Sequence, residues 1–500
     1  MQQIILVFIF IAEFFTSPKN VLFYDQPEYL RIVSTHPFWQ VFSLGHFPIH
    51  PIFLGILWIT TKFISGNQTA LLFGVISVIF VFKISKLFFK KEKYIIPVII
   101  FALFPIVWAV NTNLMIESVS LAFYTMALYF FLTRKQFAFL ITLFLMIGAH
   151  IEAIFWIPTL FLFPIIFEKE TKVNKEDFMK FIKLSLVAAF SSIIFYVAIY
   201  FFLRKDLSGS TEHINAFISF GLLRIVRNDW IGFIRSFGSI TPFILAILLF
   251  KNVKKRSLWI AWIIFFAVVC LVGAYWEGDL MQRRMVFAGI ILAFALFKYL
   301  REKSWLIILY LLPIAIANGI LYFNGNQNMP LDLMQKRINE LPADQILIES
   351  RYYQPFVKYN GIVLWVGVSD MNKIDDYLKS GKRVFMEKNA ITSPYMLFVG
   401  SNYHITSLGK TGDSESRFLF KKYAVEPLGD NLELKLFKGT EVSKEAGDPV
   451  IFYDNSFGAK LNRFRIDYGD IGTWIWALVT NHCDPTGWTY KDARGIWYNM

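Results

Sequence analysis

The sequence predicts a polytopic α-helical membrane protein of about eleven transmembrane helices, several of them shorter than the roughly 20 apolar residues a span needs, followed by an extracytoplasmic C-terminal α/β domain. Three observations point there. Hydrophobic residues make up 56% of the 500, charged residues only 17%, and 54 are phenylalanine, a composition foreign to soluble globules. Lys and Arg fall in short clusters between apolar runs, the signature of cytoplasmic loops. From Asn324 onward the long apolar runs stop, which places the boundary between a membrane domain, 1–325, and a second domain, 326–500. The net charge of +13 is thereby a matter of topology, and nucleic acid is excluded as a partner. The two cysteines, Cys270 and Cys483, supply neither a disulfide framework nor metal-ligand spacing.

The elements follow in order. Ile4–Phe15 lacks a basic flank and a small-residue cleavage site, so it is expected to be the first helix rather than a cleaved leader. Phe47–Ile64 and Thr69–Phe89 are both apolar, but the cluster KISKLFFKKEK lies inside only if one of them crosses. Phe47–Ile64, opening on His46, Pro48, His50 and Pro51, is therefore assigned to the outer surface. Tyr94–Val110 then goes out and Ser118–Leu132 returns to Arg134 and Lys135. Gln136–Ala149, Phe155–Phe167, Phe181–Leu203, Thr241–Phe250, Leu258–Ala274, Met285–Leu300 and Trp305–Phe323 alternate in the same way. Beyond Asn324, QILIES, GIVLWVGV, RVFMEK and LELKLFKG read as strands interleaved with helical patterns such as NKIDDYLKSG, hence a partly parallel sheet. The aromatic-rich tail from Val450 packs either on that domain or on the membrane.

This topology puts the chemistry on one face. Asp25, Glu28, Glu117 and Glu152 fall at external loops or external helix ends, as do Arg224, Arg227, Arg283 and Arg284. Polar ionisable residues held against a bilayer are costly and read as functional. Asp25 and Glu28, three apart, share one face of a helical turn beside Tyr29; the alternative is a solvated helix cap. Glu117 opens a span, where the helix dipole favours a carboxylate with or without catalysis. His150 and Glu152 stand in GAHIEAIF, either as a self-satisfied turn or as part of a site. Arg283 and Arg284 abut a span, where snorkelling competes with forked hydrogen bonding to phosphate. Arg224 and Arg227, three apart, suit lipid headgroups equally well. His46 and His50 have i,i+4 spacing, but Pro48 and Pro51 break the helix a metal pair would need. No metal site is assigned; a divalent cation between Asp25 and Glu117 is the one arrangement considered.

In their order and sidedness these motifs resemble the GT-C superfamily of multi-pass glycosyltransferases, the class of protein O-mannosyltransferases and aminoarabinose transferases. The resemblance rests on Asp25-x-x-Glu28-Tyr29, on His46-Phe47-Pro48-Ile49-His50-Pro51, on Leu114-Met115-Ile116-Glu117-Ser118 and on Arg283-Arg284-Met285-Val286. It covers residues 1–325. His150-Ile151-Glu152 departs from the basic residue of many relatives, and no WWDYG motif is present, which argues against transfer of a whole oligosaccharide to asparagine. The resemblance implies a polyprenyl-phosphate sugar donor taken from the lipid bilayer of the plasma (inner) membrane, an unassigned acceptor hydroxyl (protein, lipid or glycan), and inversion at the anomeric carbon. It further implies Asp25 as base, Glu117 or Glu28 near the acceptor, and Arg283 or Arg284 on the phosphate, with Arg224 and Arg227 in reserve. Tyr29, His46, His50 and Glu152 complete the expected substrate-binding set. A transporter of a lipid-linked glycan would instead spread charge along a path through the membrane and often shows two related halves; a non-catalytic scaffold is the third reading.

Overall fold

The computed structural model describes residues 2–17, 26–44, 49–89, 93–167, 175–204, 237, 256–274, 279–300, 305–307, 309, 311–312, 331–349, 358–365, 371–387, 419–429, 431–439, 441–444, 446, 450–452 and 487–499. The chain divides into two compact units, one of Met1–Val21 and Glu28–Phe323, the other of Leu22–Pro27 and Asn324–Met500.

The first unit is helical. It contains α1 (Gln2–Thr16), α2 (Gln26–Thr35), the short α3 (Phe38–Val41), α4 (Pro51–Thr60), α5 (Gly66–Phe88), α6 (Ile95–Leu103), α7 (Pro105–Thr112), α8 (Ile116–Leu132) and α9 (Gln136–Ala149). After a 3-10 segment, Ile151–Trp156, come α10 (Ile157–Ile166), α11 (Lys175–Ala198, prolonged by a π-helical turn, Ile199–Arg204) and α12 (Arg256–Ala274). A second 3-10 segment, Asp279–Ala288, leads into α13 (Gly289–Leu300). Among the described residues, two helices are long and apolar enough to cross a membrane, Gly66–Phe88 and Glu176–Leu203. Four points differ from the sequence expectation. The run Tyr94–Val110 is broken into α6 and α7, bent by 74°, because Pro105 cannot continue a helix through Phe104 and starts a new one instead. The run Phe155–Phe167 is 3-10 at its beginning, with α10 starting only before Pro158. The run Met285–Leu300 stays 3-10 as far as Ala288. Phe47–Ile64 contributes a ten-residue helix with Pro51 at its first turn, where a missing N–H is harmless.

Local chemistry explains several ends. Ser65 and Gln68 form a reciprocal capping box at the start of α5, with Gln68 N–H donating to Ser65 Oγ (3.2 Å) and Ser65 N–H to Gln68 Oε1 (2.8 Å), an arrangement worth about 1 kcal/mol. In the same first turn, Asn67 Oδ1 accepts from Leu114 N–H (2.8 Å) and so ties the head of α5 to the approach to α8. On α2 the buried side chains Tyr29, Ile32 and Val33 form one i, i+3, i+4 stripe. Much of the packing is aromatic. Phe88 meets Phe163 and Phe294, and Phe131 meets Phe139 and Phe181 at 5.0–6.2 Å, edge-on or tilted as ring quadrupoles prefer.

The second unit holds α14 (Leu331–Asn339), β1 (Ile346–Glu349), β2 (Ile362–Trp365), α15 (Met371–Lys379), β3 (Val384–Glu387), β4 (Tyr423–Leu428), β5 (Asn431–Leu436), β6 (Val450–Phe452), β7 (Gly487–Lys491) and β8 (Trp497–Asn499). The main sheet runs β2-β1-β3-β5-β4. Its β1 is parallel to both β2 and β3, with Ile346 opposite Ile362 and Val384, while β5 is antiparallel to β3 and β4. Ile346 and Ile348 enter one core with Val384, Met386, Val425 and Leu434; Leu347 and Phe385 face the other way, onto Ile338 and Leu341. Burial on both faces accounts for the continuous apolar strand, as parallel pairing requires. The tail forms a small antiparallel sheet, β6-β7-β8. Asp492, wholly buried, accepts from Val425 N–H (3.1 Å), Arg494 N–H (2.9 Å), Ile496 N–H (3.1 Å) and Arg494 Nε (2.9 Å). Arg494 Nη2 in turn donates to Val425 O (2.6 Å). The turn after β7 is thus pinned onto the edge strand β4 of the main sheet.

Candidate active site

The first unit gathers five of the residues singled out in the sequence, Tyr29, His50, His150, Glu152 and Arg284, into one buried chain. Two close helix approaches build it. Gly148, near the end of α9, lies so near Ile52 on α4 that a Cβ there would stand 2.5 Å from Ile52 Cγ1. This draws together the two residues at adjoining helix ends, His50 preceding α4 and His150 following α9, and their rings lie 5.5 Å apart, edge to face. Neither imidazole caps its helix. Tyr196 on α11 donates to the carbonyls of Ile147 (3.1 Å) and Gly148 (3.2 Å), while Ile49 N–H donates to Tyr200 Oη (3.3 Å). Tyr196 and Tyr200, one turn apart, therefore brace both histidine-bearing segments.

The chain extends in both directions. The Tyr29 ring lies 6.0 Å from His50 and 5.5 Å from Phe53. On the other side His150 Nε2 lies 3.2 Å from Glu152 Oε2, and Glu152 Oε2 is ion-paired with Arg284 Nη1. Glu152 is 8% exposed and Arg284 6%. Snorkelling, the alternative set beside phosphate binding for Arg284, is thereby ruled out, since its side chain is buried. It is drawn inward because a 3-10 helix eclipses positions three apart, and Phe287, three residues on, is packed against Tyr124 (5.4 Å) and Trp156 (5.6 Å). Trp156 belongs to the segment that carries Glu152, so the same aromatic contact docks the acid-bearing turn against the arginine-bearing one. The view of His150 and Glu152 as a self-satisfied local turn is corrected likewise, since the carboxylate's ion pair comes from a distant part of the chain.

The remaining expected residues are placed as follows. Glu28 is half-buried in the first turn of α2, and Glu117 is wholly buried in the first turn of α8. Arg283 lies in the 3-10 segment Asp279–Ala288. Asp25, His46, Arg224 and Arg227 lie outside the described residues. Among the described residues no group of three His, Cys, Asp or Glu is placed to hold a metal ion.

Two features had no counterpart in the sequence reading. One is the Tyr196–Tyr200 brace, whose only trace is two tyrosines at i,i+4 in an apolar run. The other is Glu13 on α1, wholly buried, whose Oε1 accepts from Asn111 Nδ2 (3.0 Å). Asn111 is itself pressed against Gly74 of α5, where a Cβ would come within 2.5 Å of Asn111 Cγ. The signal for that pair was a carboxylate inside Ile4–Phe15, which by the intramembrane rule called for a partner.

No family model and no curated protein matches the chain. Among solved structures it is similar to ArnT from Cupriavidus metallidurans bound to undecaprenyl phosphate, with 11% identity over 87% of this chain and 97% of that one, at a TM-score of 0.45. It is similar also to the archaeal oligosaccharyltransferase AglB from Archaeoglobus fulgidus in complex with an inhibitory peptide and a dolichol-phosphate, with 12% identity over 87% and 74% of the two chains, at a TM-score of 0.44. Both belong to the GT-C superfamily, the class that the sequence resembles. At TM-scores below 0.5 neither likeness bears on the roles of individual residues, which stand on the geometry above.

Proposed function

We propose that this chain is a multi-pass glycosyltransferase that moves a sugar from a polyprenyl-phosphate donor to an acceptor hydroxyl at the extracytoplasmic face of the plasma (inner) membrane, with inversion at the anomeric carbon. The observation that carries the reading is the burial of Arg284 beside Glu152 and His150. A guanidinium held in a low-dielectric setting has the fork geometry and the charge that a departing phosphate needs. Undecaprenyl phosphate and dolichol phosphate, the molecules in the two solved structures, are of the same lipid class; the reading rests on this chain's residues.

The reaction balances without a general acid. The acceptor oxygen forms a bond to the anomeric carbon as the carbon–oxygen bond to phosphate breaks. The acceptor proton passes to a carboxylate acting as base, and the bonding electrons leave with the phosphate. Asp25 is proposed as that base, Glu117 and Glu28 as residues that hold the acceptor, and Arg284, with Arg283, as the phosphate ligand. Tyr29, His46, His50 and Glu152 are proposed to shape the donor pocket, with Arg224 and Arg227 available to the lipid headgroup. A divalent cation between Asp25 and Glu117 is kept as a variant of this proposal, and no step is routed through it.

The test is sugar transfer by the purified protein from a panel of synthetic polyprenyl-phosphate sugars, beside Asp25→Asn. Loss of product in the mutant with donor binding retained supports the assignment. Equal activity in both removes Asp25 from the site and moves the base to Glu117. Donor bound but never consumed by either protein overturns the transferase reading in favour of a carrier of the same lipid.

A further inference from the structure

We propose that the Nδ1 atom of His150 is a ligand for one hydroxyl of the donor sugar, and so helps to select it. This role rests on the reading of Arg284 as the donor's phosphate ligand, and it gives the sugar a contact of its own.

His150 is 2% exposed, and all but one of its polar atoms are engaged. Its N–H donates to Met146 O (3.1 Å) at the end of α9, and its carbonyl accepts from Ala153 N–H (2.9 Å) in the 3-10 segment that follows. Its Nε2 lies 3.2 Å from Glu152 Oε2. Among the described residues Nδ1 has no hydrogen-bond partner. Buried polar groups are met by protein, by water or by a ligand, and one left unmet costs about 1–3 kcal/mol. The contact with the His50 ring, 5.5 Å away and edge to face, would be made as well by an apolar ring. No contact of the fold therefore uses this nitrogen.

The nitrogen is also held still. Tyr196 donates to the carbonyls of Ile147 (3.1 Å) and Gly148 (3.2 Å) in the turn before His150, and Trp156, in the turn after, packs on Phe287. A group fixed before its ligand arrives loses little freedom on binding. The chemistry of the ligand follows from the imidazole. With Nε2 against a carboxylate, Nδ1 is an acceptor when the ring is neutral and a donor when it is charged. A hydroxyl meets either, because it both donates and accepts; an ammonium or a carbonyl meets only one. The assignment is thus independent of the charge on His150. Glu152 links this ring to Arg284, so the free nitrogen and the guanidinium are separated by a distance of the order of one sugar phosphate.

The experiment is calorimetric binding to the full-length protein in detergent. The probes are farnesol, farnesyl phosphate, and farnesyl-phosphoryl mannose, glucose and galactose, each sugar also with one ring hydroxyl at a time replaced by hydrogen. For the sugar that binds most tightly, wild type is expected to lose about tenfold in affinity with one deoxy form. His150→Gln keeps an amide near the Nε2 position, towards Glu152, and has nothing at Nδ1. It should bind farnesyl phosphate as wild type does, bind the intact sugar about tenfold less tightly, and lose nothing more with that deoxy form. His150→Asn, whose amide falls at the Nδ1 position, should retain the deoxy penalty.

A deoxy penalty that persists in His150→Gln overturns the assignment. So does a wild type that is indifferent to every deoxy form, or that binds no sugar better than farnesyl phosphate itself; water then satisfies the nitrogen. Weaker binding of farnesyl phosphate by His150→Gln overturns it too, since a purely structural loss predicts that result. Should His150→Gln fail to fold, judged by its unfolding temperature, loss of the deoxy penalty in His150→Asn overturns the assignment and its retention supports it. Equal binding of farnesol and farnesyl phosphate is a different failure: it removes the phosphate reading of Arg284 and this role with it.

Discussion

Each unit of the molecule buries a carboxylate against an arginine, and the two are built differently. In the second unit Asp492 accepts three backbone N–H groups and the side chain of Arg494, two residues away, while Arg494 also reaches a backbone carbonyl. In the first unit the partners shown for Glu152 are side chains, His150 from its own turn and Arg284 from a distant segment. A carboxylate held by backbone cannot change partners without unfolding the turn. A carboxylate held by side chains can. Burial of an ion pair is on balance weak evidence for stabilisation, so the Asp492 arrangement reads as a lock and the Glu152 arrangement as a site.

That contrast can be broken at several points. The largest effect is expected from Arg284→Met, which removes the cation paired with buried Glu152 and should destabilise the helical unit by roughly 3–5 kcal/mol, read as thermal unfolding in detergent. Adding Glu152→Leu should recover most of that stability and none of the activity, because a hydrophobic pair of similar volume replaces a buried ion pair at little cost. Recovery of sugar transfer in the double variant would show the pair to be scaffolding. Asp492→Ala should cost about 3 kcal/mol by leaving buried donors unmet, and hydrogen exchange should place the loss at Val425 and the turn after β7. Loss spread evenly over the intact chain would deny it the role of a local lock.

A smaller effect, about 1–3 kcal/mol of overpacking, is expected for Gly148→Ala, because the new methyl meets Ile52. The same change should part His50 from His150 and lower transfer at unchanged donor affinity; an unaltered catalytic rate would separate the histidine pair from the chemistry. The least effect is expected at exposed pairs. Arg383 donates to both oxygens of Glu433, 2.7 and 2.9 Å away, from a half-exposed position, and Arg383→Ala should cost less than about 1 kcal/mol.

Those pairs set an acid flank. The hydrogen bond from Arg383 holds the Glu433 carboxyl below its ordinary range. At Asp375 burial pushes upward but is outweighed by hydrogen bonds from Lys422 and Tyr423, so that it too lies low. A carboxyl lowered by folding contributes stability that is fully present above its unfolded value, near pH 4 in model peptides, and is lost as pH falls through the folded value. Amide protection in the sheet of the intact protein should therefore fall in that acid window and stay level above it.

What the sequence by itself determined is the part that depends on short-range pattern. Apolar runs located most of the described helices of the first unit (Thr241–Phe250 lies outside the described residues), Pro105 marked a break that a run-length reading passed over, and ILI within QILIES contained β1 with both faces buried. His150 and Glu152 could be singled out because polar residues between greasy runs are conspicuous. Only the tertiary structure decided that Arg284 turns inward to Glu152, that Gly148 lets His50 meet His150, and that Asp492 fastens the tail to β4. These are relations between residues far apart in the chain, set by which helix faces interlock and which ring fills which gap. No local periodicity encodes them, because the free energy that selects them arises only when the segments pack.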